Sequence, residues 1–448
     1  MGLSGIEIFK KLPKTNCGKC GVPTCLAFAM KLATGQAELE ACPDIGDDVK
    51  AEIGEASAPP VRTVSIGTGE QEVKLGGETV LFRHEKRFEN PPAFTLLISD
   101  KMEEPEVLSK LTKFKEMVFE RVGVFLKPAM IAIKGESGDA SRYVALVEKV
   151  CSDIDVGLVL MNEDVEALTQ AAKSCSNRKP LIYAATKDNA ETLGNLAKEL
   201  SCPLAVKGKD LEELAEVSDK LISMGLKDLV LDSGSRTSGK LLDDQIIIRR
   251  SALIKKFKPF GFPTIVFPCE MTDDPMMEAM IACQMTAKYG SIIVLSEIEG
   301  HSLFPLLLAS LNIFTDPQRP MAVDQKIYEI GAPTEDSPVL ITGNFSLTYF
   351  IVSGEVDSSR VPSYLMVKDT EGLSVLTAWA AGKFGADTIA PFVKKSGIED
   401  KVKHRKLVIP GYLAGISGEL EEELPDWEIL IGPREAGHIP AYLKQWSA

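Results

Sequence analysis

The chain has 448 residues, 45% of them hydrophobic and 25% charged, and 64 acidic side chains against 50 basic ones give a net charge of −14. That length implies two or three domains with full apolar cores, and the acidic balance argues against a nucleic-acid partner, whose phosphates it would repel. No apolar run approaches the ~20 residues that span a bilayer, and the start MGLSGIEIFKKLP lacks the apolar core and cleavage site of a secretory signal, so a cytoplasmic protein is expected.

Ser4 and Glu7 form a capping-box pattern that opens a short helix, and Pro13 stops it. The stretch TNCGKCGVPTCLAFAMKLATGQAELEACP follows, with Cys17, Cys20, Cys25 and Cys42 spaced C-x2-C-x4-C-x16-C. Structural zinc prefers two separated C-x2-C knuckles, and the second knuckle is missing. Three closely spaced cysteines plus a remote one followed by proline, here Cys42-Pro43, is the pattern of an iron–sulfur cube. Gly18 and Gly21 each follow a cysteine and let the backbone pass close to the sulfides. The pattern therefore favours a 4Fe–4S cluster over zinc, with the four cysteines as ligands. A helix is expected from about Pro23 to Thr34, closed by Gly35, in a cluster domain over residues 1–56. The remaining cysteines (Cys151, Cys175, Cys202, Cys269 and Cys283) are scattered and read as reduced, mostly buried thiols.

Residues 57–92 read as a linker with small β-hairpins. Ala56 to Pro60 is a hinge, and the runs RTVSI, EVKL and ETVLFR are broken by Gly67, Gly69, Gly76 and Gly77. From residue 93 the rhythm changes. Apolar runs recur at 94–99, 130–134, 156–161, 180–185, 203–207, 228–233, 263–268 and 291–296, separated by amphipathic helical stretches such as 190–200 and 210–221. Continuous apolar strands alternating with helices mean a parallel sheet covered on both faces, and eight repeats predict a (β/α)8 TIM barrel over residues 93–325.

Pro317 to Pro338 reads as a second linker. After it, a doubly wound, Rossmann-like α/β domain is expected over residues 326–448. Its strands are placed at 339–342, 364–367, 387–390, 406–409 and 428–432, and its clearest helices at Leu373 to Phe384 and Ala436 to Trp446. In such a sheet, ligands lie beyond the carboxyl ends of the strands. The loops there are Thr342-Gly343-Asn344-Phe345-Ser346, Thr370-Glu371-Gly372-Leu373, Pro410-Gly411-Tyr412 and Gly432-Pro433-Arg434-Glu435. Small residues and exposed N–H groups suit a large flat ligand with peripheral amides, although ordinary turns carry the same residues. The barrel's strand ends carry Asp100, Glu136, Asn162, Lys207, Asp232, Glu270 and Glu297. Taken alone they suggest a pterin- or folate-dependent methyltransferase, the alternative function, but spacing assigns no catalytic residue. The run Lys401 to Lys406 reads as a solvated loop, and Glu419, Glu421, Glu422 and Glu423 as an exposed helix face.

The segment CGKCGVPTCLAFAMKLATG closing with ACP, together with GGETVLFRHEKRFENPPAF and VKDTEGLSVLTAWAAGKF, resembles the large (gamma) subunits of corrinoid iron–sulfur proteins of the acetyl-CoA synthase/CO dehydrogenase (Wood–Ljungdahl) pathway. The cysteine module alone also resembles membrane electron-transport subunits, but no ferredoxin repeats or apolar anchor accompany it here. The resemblance spans the whole chain and turns the C-terminal domain into a corrinoid-binding domain. It places Thr370, Glu371, Gly372 and Leu373 at the cofactor most firmly, and the position of the rim at the strand ends adds Leu340, Thr342, Gly343, Ser346, Gly411, Ala414, Gly432 and Pro433 as candidates. The D-x-H-x-x-G string of many cobalamin proteins is absent, and among His84, His301, His404 and His438 only His438 falls near the rim. A base-off cobalamin or other corrinoid without a protein histidine beneath cobalt is implied. So is a methyl carrier that takes methyl from methyltetrahydrofolate through a separate methyltransferase and gives it to the nickel cluster of acetyl-CoA synthase/CO dehydrogenase. The 4Fe–4S cluster would reactivate Co(II) to Co(I), and a small corrinoid iron–sulfur subunit would complete a heterodimer, with no membrane or nucleic acid involved.

Overall fold

The computed structural model describes residues 4–33, 37, 39–46, 48–50, 53, 58–121, 124–316, 318 and 320–447. The chain divides into two compact units, Met1–Phe119 with Leu126–Phe314, and Glu120–Phe125 with Thr315–Ala448.

Helix α1 (Gly5–Lys11) opens on the capping box read from the sequence. The Glu7 amide donates to Ser4 Oγ at 3.3 Å, and the Ser4 amide donates to Glu7 Oε2 at 2.8 Å. It closes at Leu12, which is extended, as the residue before a proline prefers. Helix α2 (Cys25–Ala33) starts behind Thr24, whose Oγ1 accepts from the Ala27 amide. The glycine expected to stop it, Gly35, lies outside the described residues, as do Ala56 and Ser57 of the hinge. Ile8, Leu12, Phe28, Ala29, Ile45 and Ile53 form a small core with Cys25 and Cys42.

Strands β1 (Val64–Ile66) and β2 (Val73–Leu75) pair antiparallel. The third run, ETVLFR, forms no strand, which corrects the sequence reading. Gly76 and Gly77, at φ 77 and 88°, turn the chain so that Gly76 packs against the Arg62 carbonyl, where a Cβ would approach to 2.2 Å. Glu78 then enters the core to pair with Arg249 at 3.4 Å.

The next eight parallel strands are β3 (Ala93–Ser99), β6 (Met130–Lys134), β7 (Gly157–Met161), β8 (Leu181–Ala185), β9 (Leu204–Lys207), β10 (Leu229–Asp232), β11 (Ile265–Val266) and β12 (Ile292–Leu295). Each is followed by a helix: α3 (Glu104–Glu116), α4 (Ala140–Asp153), α5 (Val165–Ser174), α6 (Ala190–Leu200), α7 (Leu211–Ser223), α8 (Ser238–Leu253), α9 (Pro275–Ala287) and α10 (Gly300–Phe314). They pair in the order β10-β9-β8-β7-β6-β3-β12-β11, and the Leu231 amide closes the ring on the Pro263 carbonyl at 2.8 Å. This is a TIM barrel. Met130, Val159, Leu181, Ala205, Val230, Phe267 and Ile292 fill its interior, and Val64, Ile66 and Leu75 of the hairpin join them at the amino-terminal end. A second layer of apolar residues lies between strands and helices.

Strands β4 (Phe119–Arg121) and β5 (Val124–Leu126) form a short ribbon the sequence reading missed. Most of it belongs to the second unit, where the Arg121 guanidinium stands over the Phe350 ring.

The second unit has a five-strand sheet in the order β13-β15-β14-β16-β17: β13 (Lys326–Ile330), β15 (Ser363–Lys368), β14 (Val339–Gly343), β16 (Lys406–Ile409) and β17 (Glu428–Ile431). All are parallel except β13, which runs antiparallel to β15. Apolar layers cover both faces. Helix α11 (Ser346–Ser359) follows β14, α12 (Val375–Ala380) and α13 (Ala386–Lys395) follow β15, α14 (Ser417–Glu423) follows β16, and α15 (Ile439–Leu443) ends the fold. Two corrections arise here. Residues 387–390, read as a strand, lie within α13, and the fifth strand is β13, inside the stretch read as a linker. The helices at 373–384 and 436–446 are also shorter than expected: Thr370 accepts the Leu373 amide in a turn before α12, and a 3-10 turn at Ala436–His438 precedes α15. Lys401 and Lys403 of the basic run pair with Glu329 and Glu335, so part of that loop is fastened down.

Candidate functional sites

In the cluster loop Cys25 and Cys42 are buried, Cys20 is half-buried and Cys17 is exposed. Asn16, at φ 50°, clasps the start of α2: its Oδ1 accepts the Cys25 amide at 2.8 Å and its own amide points at Cys25 Sγ at 3.4 Å. Gly18 and Gly21 lie at φ 70 and 77°, with open space where a Cβ would stand. Cys17 Sγ lies 3.4 Å from Asp44, which pairs with Lys19 at 3.0 Å. That hydrogen bond, reinforced by the charges of Asp44, Cys17 and Cys42, holds Lys19 above its usual pKa. Among the described residues no three His, Cys, Asp or Glu side chains close around one point, as a single metal ion requires. A cube takes each thiolate on its own iron, so its ligands surround the cluster without meeting. The donor set and the open, left-handed glycines fit that group.

In the second unit the chain passes from β14 to β15 on one side and then crosses to β16 on the other side of β14, the switch point at which open α/β sheets bind ligands. A cavity of about 310 Å³ lies there, walled by β14, β16, α11, α12 and the loop after β17. Leu340, Thr342, Gly432 and Pro433 line it. Ile351, Leu376 and Tyr412 line it too and remain about half exposed, an apolar opening. Arg434 stacks over Tyr412, whose hydroxyl donates to Glu435 at 2.7 Å.

The other predicted rim residues frame the cavity without lining it. Asn344 Oδ1 accepts from the Thr370 amide, the Thr370 hydroxyl and the Gly372 amide at 2.9–3.0 Å, and its Nδ2 donates to Asp369. The Thr370–Leu373 loop is thus a locked turn, with Gly372 at φ 74° facing the Pro320 carbonyl. Gly343 packs on Thr370, and Gly411 packs on Gly432, where a Cβ would come within 2.4 Å of the carbonyl oxygen. Ala414 sits in the turn after β16. Ser346 Oγ is buried at the start of α11 without a hydrogen-bond partner. No histidine lines the cavity; His438 is exposed, and His404 is occupied by the Ser337 carbonyl and the Lys406 amide.

At the carboxyl end of the barrel several of the strand-end charges are engaged. Arg236 binds Asp232 through two nitrogens at 2.9 and 3.1 Å, reaches Glu270 at 2.5 Å and stacks on Phe267. Lys134 bridges Glu136 and Glu270, each at 3.0 Å. Burial alone would raise Glu270, but the Arg236 charge, with its hydrogen bond and Lys134, holds it below its usual pKa. Asp100 accepts from the Glu136 and Ser137 amides.

Two family profiles match the chain: the CO dehydrogenase/acetyl-CoA synthase delta subunit family over residues 63–443, and an Fe-S cluster family over residues 12–43. The corrinoid/iron–sulfur protein large subunit of Moorella thermoacetica is 45% identical over 444 residues, covering 99% of each chain. The chain belongs to the corrinoid/iron–sulfur protein large-subunit family. Gamma subunits of the acetyl-CoA decarbonylase/synthase complex of Methanopyrus kandleri and Methanothermobacter thermautotrophicus are 36% and 35% identical, each over 99% of this chain.

The Fe-S family match takes in all four cysteines of the loop. In the C-terminal unit, sequence reasoning missed Thr348, Ile351, Val352, Val375 and Leu376 on the cavity wall. A signal existed. Helix α11 carries Leu347 and Ile351 on an exposed face, a place where a solvated helix carries polar residues.

Proposed function

We propose that this chain is the cofactor-bearing half of a methyl carrier, holding a corrinoid at the carboxyl edge of its C-terminal sheet and a 4Fe–4S cluster in its N-terminal loop. When bound, the corrinoid supplies the cobalt that receives and gives up the methyl group, and the cluster supplies the electron that restores it. The observation that carries the reading is the cavity at the β14/β16 switch point, in a chain of this family, lined by Leu340, Thr342, Gly432 and Pro433.

At about 310 Å³ the cavity sits at the small end of ligand pockets, too small for a whole corrinoid. It would take the nucleotide tail, and the exposed Ile351, Leu376 and Tyr412 would offer the ring an apolar platform. The locked Thr370–Leu373 turn would fix the rim beside the ring. With no histidine on the cavity wall, the reading keeps the cobalt free of a protein nitrogen. Such a site would make the bound group easier to reduce, a factor of ten corresponding to ~59 mV of one-electron potential. Cys17, Cys20, Cys25 and Cys42 would hold the cluster. Methyltetrahydrofolate as donor, the nickel cluster of acetyl-CoA synthase as acceptor and a small partner subunit belong to the same proposal. The barrel serves it as a scaffold, since Asp232, Glu136 and Glu270 at its strand ends are engaged by Arg236 and Lys134.

Metal analysis and a visible spectrum of protein from its native host test the reading. Cobalt and iron in roughly a one-to-four ratio, with corrinoid absorbance, are expected. Iron and sulfide without cobalt in any preparation would overturn it.

A further inference from the structure

A cavity of about 920 Å³ lies at the amino-terminal end of the barrel, the end opposite the one where TIM barrels carry their catalytic groups. Its walls are the approach to β1, the segment after β2, the loop from α7 to β10 and the loop from α8 to β11. Backbone hydrogen bonds fix these walls. The Arg62 amide donates to the Gly261 carbonyl at 2.9 Å, the Gly77 amide to the Val61 carbonyl at 3.0 Å, and the Phe257 amide to the Ser251 carbonyl at 3.0 Å. Gly261 packs so closely on the Pro60 carbonyl that a Cβ would come within 2.7 Å of its oxygen. The cavity is thus formed before any ligand arrives.

In a chain with 64 acidic and 50 basic side chains, the lining reverses the balance. Arg62, Lys86, Lys227, Lys256 and Lys258 line it, with Glu89 as the one carboxylate among the described residues. Lys86 pairs with Glu89 at 2.6 Å, and Asp228, which follows Lys227, pairs with Lys179 at 3.6 Å. Arg62, Lys227 and Lys256 have no ion-pair partner among the described residues. Lys256 stands at φ 51°, a left-handed conformation that glycine adopts at lower cost. Phe257 follows it, 42% exposed, with its ring edge-on to Phe260 at 5.1 Å. Ile222, Leu226 and Phe262 extend that apolar side.

We propose that this cavity binds a nucleoside polyphosphate, its phosphates among Arg62, Lys227 and Lys256 and its base against Phe257. Uncompensated cations in a concave, partly apolar wall focus their field on an anion. Guanidinium and ammonium groups are the side chains that hold phosphate. The apolar side adds a preference for a phosphorylated ligand with a flat ring over bare phosphate, and stacking on an aromatic ring tolerates any base. The volume, near the upper end for ligand pockets, accommodates a whole nucleotide. The site binds and does no chemistry, and it is independent of the corrinoid and the cluster.

Isothermal calorimetry of the intact protein with its cofactors tests this, with ADP and pyrophosphate as probes in metal-free, low-salt buffer. ADP should bind once per chain and more tightly than pyrophosphate. Lys227→Gln and Lys256→Gln should each weaken both probes on the order of tenfold. Lys255→Gln removes the same charge from an exposed neighbour outside the lining and should leave both affinities unchanged. Phe257→Ala should bring ADP toward the affinity of pyrophosphate while pyrophosphate binding persists, which also shows that the variant keeps its site. The proposal is overturned by an absence of saturable ADP binding, by equal affinity for the two probes, by equal losses in Lys255→Gln and Lys256→Gln, or by ADP binding indifferent to Phe257→Ala.

Discussion

Gly411 shows how closely the rim of the C-terminal sheet is set by single residues. A methyl group there would meet the Gly432 carbonyl oxygen at 2.4 Å and the Arg434 amide at 2.8 Å, and both neighbours are backbone. Gly411→Ala must therefore push the loops after β16 and β17 apart, at a cost of about 1–3 kcal/mol, and it opens the cavity wall formed by Gly432 and Pro433. Urea unfolding of the C-terminal unit should show that loss, and equilibrium dialysis should show corrinoid held on the order of tenfold more weakly. Gly415→Ala, with nothing within 4 Å of the new methyl, is the matched control and should stay within ~0.5 kcal/mol of wild type. Equal effects from both would remove Gly411 from the rim.

Among the elements, the barrel strands were legible because each is a continuous apolar run, as strands buried on both faces must be. The errors fall where that rule weakens. β13 (KIYEI) is an antiparallel edge strand without a fully buried residue, so it reads as a polar linker. Asp387 to Ala390 reads as a short strand, yet Ala386, Ile389, Ala390 and Val393 are buried at helical spacing behind the N-cap Gly385. One missed strand and one false one left the count of five unchanged. The cysteine loop could be read directly, since its four cysteines are close in sequence and fall inside the Fe-S family match. The cavity of the second unit could be read only as loops after strands, because its walls on α11 and α12 depend on how those helices fold back over the sheet. The mouth of the barrel adds a prediction at this scale. Glu136 and Glu270 are held below their usual pKa, burial opposing and Ser99, Arg236 and Lys134 prevailing, so the folded barrel binds fewer protons than the unfolded chain. Their contribution to stability is present above the unfolded value near ~4.3 and lost as pH falls through the lower folded values. Arg236→Met removes the cation from Asp232, which is 1% exposed, and should cost about 3–5 kcal/mol at neutral pH. It should also move the onset of acid unfolding to higher pH. A variant whose acid transition coincides with that of wild type would show that Arg236 does not set those carboxyls.

For the whole molecule, two compact units with separate cores imply two unfolding transitions. A ligand that binds only the folded form of one unit stabilises that unit, by about 2.7 kcal/mol when free ligand stands at a hundred times its dissociation constant. The proposed corrinoid contacts all lie within the C-terminal unit, so adding corrinoid to cofactor-free protein should raise the transition of that unit and leave the barrel transition in place. Calorimetry resolves the two, and hydrogen exchange assigns them. Protection should grow in the amides around Thr342, Gly411 and Gly432 while those of β6 and β7 stay unchanged. The locked turn at Asn344 and Thr370 is already fully hydrogen-bonded, so it should gain little. Corrinoid that protected the barrel strands first, or moved both transitions together in the isolated chain, would place the cofactor on the barrel and return the strand-end charges to the list of binding groups.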